Sequence, residues 1–316
     1  MARLLRVAGV QAPPLPVREA LPRFRDDLGA LLAVHPDVDL VVYPELHLFG
    51  SEEEHPDSRV QLLRDSAVPL DSELVASLGA LAAEHGIWLV PGSICERGPA
   101  GELFNTELVF GPDGALAGHY RKIFPWRPYE PYDPGDRFEV VDAPGVGRLG
   151  LSICYDAWFP ELSRHVAWLG AEVILNVVKT TTPDRRQELV LARANAITNQ
   201  VFMVSINCAA PVGEGRSLIV DPEGEVIVAS DTADPEVLVA TIDLDHVTAV
   251  REHGTQGLNR LWAQFRESDA PIELPLYSGR IDPARWAPAG APAPAPVPPP
   301  PATASAPTAS EGDAPR

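Results

Sequence analysis

The sequence predicts a layered α/β fold, with helices outside and mixed β-sheets inside, because two patterns alternate along most of its 316 residues. Short apolar runs rich in β-branched residues predict buried strands, and stretches of helical periodicity separate them. Two further pairs of apolar runs are joined by the turn sequences GPDG and DPEG, which predict hairpins. The hairpins add antiparallel strands, so we expect the sheets to be mixed.

The first elements of the chain follow this alternation. Strands are predicted for the apolar runs at residues 4–10, 38–44 and 87–94. Helices are predicted for residues 19–35 and 71–86, the second with Asp71 or Ser72 as its cap and Gly86 as its end. The first hairpin then covers residues 105–122.

The second half of the chain repeats the pattern. A strand at 147–154 precedes a helix that begins near Pro160, and the next strand lies at 171–178. The following helix is expected to have Thr182 as its cap and Pro183 in its first turn. A strand at 201–207 and the hairpin at 217–230 complete the core. From Trp286 onward the composition is low-complexity Ala, Pro, Ser and Thr, which predicts one domain at residues 1–285 and a disordered tail at 286–316.

The composition restricts the possible partners. The formal net charge is -19 and is spread along the chain, which argues against nucleic acid and anionic membranes as partners. No apolar stretch reaches the roughly 18 residues that a membrane helix needs, and we expect no export signal. The cysteines (Cys95, Cys154 and Cys208) are widely spaced, which favours neither disulfides nor a zinc site and fits a cytoplasmic location.

Three reactive side chains stand at predicted strand ends, where an α/β protein holds functional groups rigidly. They are Glu45 in VVYPELHLFG, Lys122 in HYRKIFPW and Cys154 in SICYDAW. A cysteine nucleophile needs a base and donors for an oxyanion, and a glutamate and a lysine can supply both without a histidine. The backbone N–H of Tyr155, which follows the cysteine, is a candidate second donor.

The motifs YPE, YRK and CYDAWFPE, in this order, resemble the three signatures of the nitrilase superfamily, the carbon-nitrogen hydrolases. The resemblance extends from about Arg6 to Asp243. It implies a four-layer αββα sandwich that commonly dimerises or assembles further, and a triad of Glu45, Lys122 and Cys154. It also implies that no metal or organic cofactor is used.

The stretch YRKIFPWRPYEPYDPGD is similar to the aliphatic amidase and formamidase branch. In that branch a tryptophan and a second glutamate help form a small pocket, and the matching positions are Trp126 and Glu130. Glu130 is then expected to accept a hydrogen bond from the substrate amide and position its carbonyl carbon. Two features depart from the branch: Leu46 stands where tyrosine is frequent, and CYDAWFPE replaces CDDG. These departures leave room for a substrate larger than formamide or acetamide.

The resulting hypothesis is an amidohydrolase that cleaves the C–N bond of a small carboxamide through a cysteine thioester. Alternatives are hydrolysis of an N-carbamoyl amine or of a nitrile, and an inactive binding or assembly protein on the same scaffold. The only hints of a basic patch for N-carbamoyl substrates are Arg127, Arg185 and Arg186.

Other reactive residue types are assigned structural roles. We expect Cys95 and Cys208 to be strand-core residues. Asp156 and Glu161 are expected to bind backbone donors near the cysteine or at the start of the next helix. The remaining candidates for packing or surface roles are three histidines, namely His47, His119 and His165.

Overall fold

The computed structural model describes residues 2–52, 54–274 and 279–280. The described residues up to Trp262 form one compact unit, and those from Ala263 onward form another. The predicted tail at 286–316 lies outside the described residues, so the tail and the domain boundary at residue 285 stay predictions.

Every predicted strand and helix is present, although the strand expected at 87–94 is divided in two. The structure adds the helices Pro56–Ser66 and Asp245–His253 and the strands Val140–Ala143 and Glu236–Asp243. The strands are Leu4–Gln11 (β1), Leu40–Val42 (β2), Trp88–Val90 (β3), Ser93–Arg97 (β4), Leu103–Phe110 (β5), Leu116–Arg121 (β6), Val140–Ala143 (β7), Gly147–Ile153 (β8), Val173–Val178 (β9), Phe202–Asn207 (β10), Leu218–Val220 (β11), Val226–Ala229 (β12) and Glu236–Asp243 (β13). The helices are Ala20–Val34 (α1), Pro56–Ser66 (α2), Glu73–His85 (α3), Pro160–Trp168 (α4), Arg185–Asn199 (α5) and Asp245–His253 (α6). Short 3-10 turns cover Cys154–Trp158, Thr255–Gly257 and Leu261–Ala263.

Within the described residues the strands form two mixed sheets. The first has the order β13, β1, β2, β3, β5, β4, with β6 also paired to β5, and the second has the order β12, β11, β10, β9, β8, β7. Strands β1, β2 and β3 are mutually parallel, as are β8, β9 and β10. Both predicted hairpins form, as β5–β6 and β11–β12.

Among the residues that the structure describes, three apolar cores define four layers. The central core joins the two sheets, with Val7 from one and Leu151 from the other among its members. A second core packs α1 and α3 against the first sheet, and a third packs α4 and α5 against the second. Since side chains alternate between the faces of a strand, Val7 enters the central core while its neighbour Ala8 faces the helices. The αββα sandwich expected from the resemblance is confirmed.

The cap residues predicted from the sequence are correct for helix α3 and wrong for helix α5. Helix α3 begins after Ser72, whose hydroxyl accepts a hydrogen bond from the N–H of Val75 at 3.4 Å, and it ends at Gly86 in a left-handed conformation. The expectation that Thr182 caps α5 and that Pro183 lies in its first turn is wrong, because the helix begins only at Arg185. Asp184 occupies the N-cap position without a side-chain cap hydrogen bond, and the Thr182 hydroxyl donates to the Asp184 carboxylate.

Among the helices in the described part of the chain, none combines the length and the apolar character that crossing a membrane requires.

Gly92, between β3 and β4 of the first sheet, lies close to the loop that carries Glu45. It has φ of 86°, and a Cβ added there would overlap the carbonyl oxygen of Pro44. Gly86 has a similar φ of 65° but no atom within 4 Å of its added Cβ. We therefore expect Gly86→Ala to lose about 1–2 kcal/mol of unfolding free energy, and Gly92→Ala to lose clearly more.

Urea unfolding of both variants measures this difference. Equal losses for the two alanines would show that the close approach of Gly92 to Pro44 does not constrain the loop.

Candidate active site

The three predicted catalytic side chains lie at strand ends contributed by both sheets. Glu45 follows β2 and Lys122 follows β6 in the first sheet, whereas Cys154 follows β8 in the second. The Lys122 ammonium donates to Glu45 Oε1 at 3.0 Å. Both charges act on the Cys154 thiol, since Glu45 raises its pKa and Lys122 lowers it. The structure thus brings the three residues into one cluster.

The turn that carries Glu45 is fixed by the neighbouring strands. The N–H of Tyr43 donates to the Val90 carbonyl at 2.8 Å, and the N–H of Leu46 donates to Ser93 Oγ at 2.9 Å. Leu46 has a φ of 52°, a conformation that is uncommon for a bulky residue. This strained conformation of Leu46 belongs to the turn that directs the buried Glu45 side chain toward Lys122.

Asn105 on β5 also binds Glu45, and sequence reasoning missed it. Its side-chain amide donates to Glu45 Oε1 at 2.7 Å, so this oxygen accepts from both Asn105 and Lys122. The position faces the buried end of the hairpin and is fully buried. The available signal was the run of polar residues Asn105–Glu107 inside a strand that is buried along its whole length, because a buried polar side chain requires a partner.

Lys122 is a buried cation held between two carboxylates. Its Nζ donates to Glu130 Oε1 at 2.8 Å and to Glu130 Oε2 at 2.9 Å, in addition to Glu45. Burial lowers the pKa of Lys122, but Glu130 and Glu45 outweigh it and hold that pKa well above its ordinary value. The ammonium therefore stays charged while it is out of contact with water.

Trp126 and Glu130 are held in one tight turn after Lys122. The N–H of Trp126 donates to Glu130 Oε2 at 2.8 Å, and the N–H of Glu130 donates to the Trp126 carbonyl at 2.9 Å. The Trp126 ring packs on Tyr129 with centroids 4.4 Å apart. Both oxygens of Glu130 thus bind protein donors, and its predicted contact with a substrate amide stays a prediction.

Cys154 stands on a sharp turn between β8 and the 3-10 turn Cys154–Trp158, with a φ of 48°. Asp156 stabilises this turn, because its carboxylate accepts from the N–H of Ile153 at 3.0 Å and from the Tyr120 hydroxyl at 2.9 Å. It also accepts from the N–H of Phe124 at 2.9 Å, which joins the loop after Lys122 to the cysteine turn. The structural role predicted for Asp156 is confirmed.

The Cys154 thiol is half-buried and holds its proton at neutral pH. Burial and the charge of Glu45 raise its pKa well above the ordinary value, and Lys122 opposes them only in part. A thiol of this kind needs a base before it can attack. The N–H of Tyr155 begins the short helix after Cys154, where backbone donors have no acceptor within the helix.

The other two cysteines are buried, as predicted, but only Cys95 lies within a strand. Cys95 lies in β4 and contacts the Tyr132 hydroxyl at 3.5 Å, while Cys208 directly follows β10. Burial raises the pKa of each thiol to about 12. Neither is a thiolate at neutral pH.

The histidines pack against aromatic or charged neighbours. His47 is buried and stacks on Tyr43 with ring centroids 4.8 Å apart, and burial lowers its pKa to about 3. His165 stacks on Phe138 at 4.3 Å, and His119 contacts a guanidinium nitrogen of Arg137 at 3.1 Å. The packing roles expected for His47 and His165 are confirmed, whereas His119 has a polar partner.

The carbon-nitrogen hydrolase family model matches residues 6–252, which is most of the chain. The chain therefore belongs to the carbon-nitrogen hydrolase family, in agreement with the resemblance read from its three motifs. It is similar to the formamidase of Pseudomonas syringae pv. tomato, at 31% identity over 224 residues that cover 69% of this chain and 64% of the formamidase. The chain thus spans less than two thirds of the length of that formamidase.

Solved structures show the same fold. Saccharomyces cerevisiae Nit3, a member of branch 10 of the nitrilase superfamily, aligns with a TM-score of 0.70 and 27% identity over 79% of this chain and 93% of Nit3. An amidase mutant from Nesterenkonia sp. aligns with a TM-score of 0.65 and 25% identity over 77% of this chain and 92% of the amidase. That structure shows covalent addition of the acetamide moiety of fluoroacetamide at the active site cysteine.

The electrostatic coupling between Glu45 and Cys154 gives a first test. Glu45→Gln removes the carboxylate charge that raises the thiol pKa and leaves Lys122 to lower it. We expect the pKa of Cys154 to fall, so that iodoacetamide alkylates it faster at neutral pH than in the unmodified protein.

The rate is measured between pH 6 and 10 by peptide mass mapping of the cysteines. Glu84→Gln, an exposed position on α3, is the charge-matched control and should leave the profile unchanged. An unshifted profile in Glu45→Gln would contradict the coupling.

Proposed function

We propose that this protein hydrolyses the C–N bond of a small carboxamide to a carboxylate and ammonia through a thioester on Cys154. The observation that carries the proposal is the buried Lys122 between Glu45 and Glu130, beside a cysteine whose thiol is protonated. This cluster contains a base, a nucleophile and a fixed cation, which together suffice for acyl transfer. The similarity to formamidase and amidase supports the same class of reaction.

In the first step, Glu45 takes the thiol proton as Cys154 attacks the amide carbonyl carbon. Negative charge develops on the carbonyl oxygen, and the Lys122 ammonium and the Tyr155 N–H are its proposed donors. Glu45 then returns the proton to the amide nitrogen, which leaves as ammonia while the thioester remains. Since Lys122 is already charged and fixed, its stabilisation of the oxyanion needs little reorganisation.

In the second step, the same carboxylate activates water against the thioester. The proton passes from water to Glu45 and then to the departing Cys154 sulfur, so the thiol and the carboxylate side chains are restored. Glu130 holds the Lys122 ammonium in place. We expect Trp126 to form part of the wall of the amide pocket. Both are positioning roles.

Arg185 bears on the choice between carboxamide and N-carbamoyl substrates. Its buried guanidinium donates to the Glu188 carboxylate at 3.1 Å and to the Gly215 carbonyl at 3.1 Å. It is thus engaged inside the fold, and the neighbouring Arg186 is exposed. This weakens the basic patch that would favour ureido acids, and the carboxamide remains the preferred substrate class.

A panel of carboxamides, ureido acids and nitriles, scored by ammonia release, tests the function. We expect turnover of short aliphatic amides, including some larger than acetamide, and none by Cys154→Ala. Cys208→Ala is the matched control, because that cysteine lies outside the cluster, and it should keep most of the activity.

Two results would overturn the proposal. One is normal amide turnover by Cys154→Ala, and the other is the absence of ammonia release from every compound in the panel. The second result would favour the binding or assembly function on the same scaffold.

We also propose that a second copy of this chain is the macromolecular partner. Exposed apolar side chains stand on the outer faces of α4 and α5, where Trp168 is 73% exposed, Val190 is 66% exposed and Ile197 is 41% exposed. Exposed apolar side chains that form one continuous patch are typical of a contact surface. A homodimer would cover these side chains.

The cytoplasmic location of the protein also stays a prediction.

Light scattering after size exclusion tests the dimer. The full chain is expected to elute with twice its monomer mass, and Val190→Asp should reduce that mass to the monomer's. A monomeric wild-type protein would contradict the proposal, and Val226→Asp, an exposed apolar position on β12, is the control that should leave the mass unchanged.

A further inference from the structure

A second set of polar side chains lies near Cys154, on the side of the second sheet. The proposed reaction does not use these residues. Thr180 lies two residues after β9, and its Oγ1 is 3.8 Å from the Cys154 sulfur. This is hydrogen-bond distance for a sulfur atom. The hydroxyl is buried, so its hydrogen bonds are made with neighbouring protein groups.

The Thr180 hydroxyl proton is committed to Glu188 on α5. Both carboxylate oxygens of Glu188 lie 2.8 Å from Thr180 Oγ1. A hydroxyl has a single proton, and a carboxylate is a much stronger acceptor than a thiol. Thr180 therefore donates to Glu188 and presents a lone pair to Cys154, whose S–H is the donor of that contact.

Glu188 itself is held from two sides. The Arg185 guanidinium donates to Glu188 Oε2 at 3.1 Å, and the Trp158 indole N–H is 3.5 Å from Glu188 Oε1. Arg185 is anchored in turn by the backbone carbonyls of Gly215 and Arg216. The carboxylate is buried and its position is thus determined by the fold, independently of any substrate.

The backbone of Thr180 is equally fixed. The side-chain oxygen of Asn207, at the end of β10, accepts from the N–H of Thr180 at 2.8 Å. The side-chain N–H of Asn207 donates to the Thr180 carbonyl at 3.3 Å. Buried networks in which every member has a partner are rigid, so Thr180 is a fixed point against which the thiol is held.

We propose that Glu188, acting through the hydroxyl of Thr180, is a positioning residue for Cys154 that orients the thiol and keeps a negative charge beside the sulfur. This inference rests on the proposed function only for its catalytic consequence. In the free protein the thiol would remain protonated with its S–H toward Thr180, and during attack the S–H would turn toward Glu45, which accepts the proton. Protection of the free thiol from adventitious alkylation or oxidation follows from the same arrangement.

The charges that face Cys154 come from four segments. Glu45 follows β2, Lys122 follows β6, Glu130 lies in the loop after Lys122, and Glu188 is on α5. Burial and Glu45 raise the thiol pKa, Lys122 lowers it, and Glu188 and Glu130 raise it further. Removing the Glu188 charge while keeping its shape is therefore expected to shift the thiol toward ionisation.

Glu188→Gln is the direct test, read by the pH dependence of iodoacetamide alkylation of Cys154 in the full-length protein. We expect the alkylation profile to move to lower pH by about one unit, which is roughly a tenfold faster reaction at fixed pH on the rising part of the curve. Glu73→Gln is the control, because Glu73 is also in the first turn of a helix but is exposed. Its profile should match that of the wild type.

Thr180 supplies a second pair of variants that leave the Glu188–Arg185 contact in place. Thr180→Val removes the acceptor of the thiol hydrogen bond with little change of shape, so it should also move the profile to lower pH, by less than Glu188→Gln. Thr180→Ser keeps the hydroxyl and should restore the wild-type profile. Circular dichroism establishes that each variant is folded, and if Glu188→Gln does not fold, the Thr180 pair decides.

The outcomes separate this inference from the proposed reaction. Alkylation needs no substrate, so a shifted profile supports the positioning role even if no amide is hydrolysed. A profile in Glu188→Gln equal to that of Glu73→Gln would overturn it, as would a Thr180→Ser profile shifted as far as that of Thr180→Val. Where an amide substrate is found, kcat should fall in Thr180→Val by about tenfold with little change in KM, and Thr180→Ser should retain it.

Discussion

The Lys122 ammonium is surrounded by protein, and two carboxylates from different segments hold it there. Transferring a cation from water into a protein interior costs several kcal/mol, so it is sustained only where partners and hydrogen bonds are complete. Glu45 and Glu130 provide these partners, and Asn105 donates a further hydrogen bond to Glu45 Oε1. The loops that carry Glu45 and Glu130 are therefore held in the positions in which these carboxylates bind the Lys122 ammonium.

The reactive cysteine is contributed by the other sheet, and its turn is linked to the constrained loop after Lys122. Cys154 enters from β8 with a left-handed backbone, and Asp156 ties its turn to the loop after Lys122. Asp156 has a pKa raised to about 6 by burial, which Lys122 opposes. Burial, followed by the charge of Glu45, raises the pKa of the Cys154 thiol more than Lys122 lowers it, so the free thiol stays protonated, and catalysis would need a proton transfer to Glu45 instead of a preformed thiolate.

The sequence predicted what depends on local patterns. Strand ends, both hairpins and the cap at Ser72 follow from periodicity and turn chemistry, and the ordered motifs singled out Glu45, Lys122 and Cys154. Contacts between distant segments were not accessible: Asn105 is 60 residues from the glutamate it binds. Strand β13 was missed because several of its side chains are exposed and its pairing with β1 joins the two ends of the fold. The prediction for Thr182 failed at a helix boundary, because α5 begins three residues later, with Asp184 at the N-cap position.

The central claim is that Cys154 carries the acyl group, and intact mass spectrometry of the protein quenched during turnover of a short aliphatic amide tests it most directly. The account predicts a species heavier by the acyl group of that amide, located on the Cys154 peptide, and removed by hydroxylamine as expected of a thioester. The adduct should be absent from Cys154→Ala and present in Cys208→Ala. Ammonia release without any acyl species on Cys154, or with the acyl group on another residue, would contradict the account.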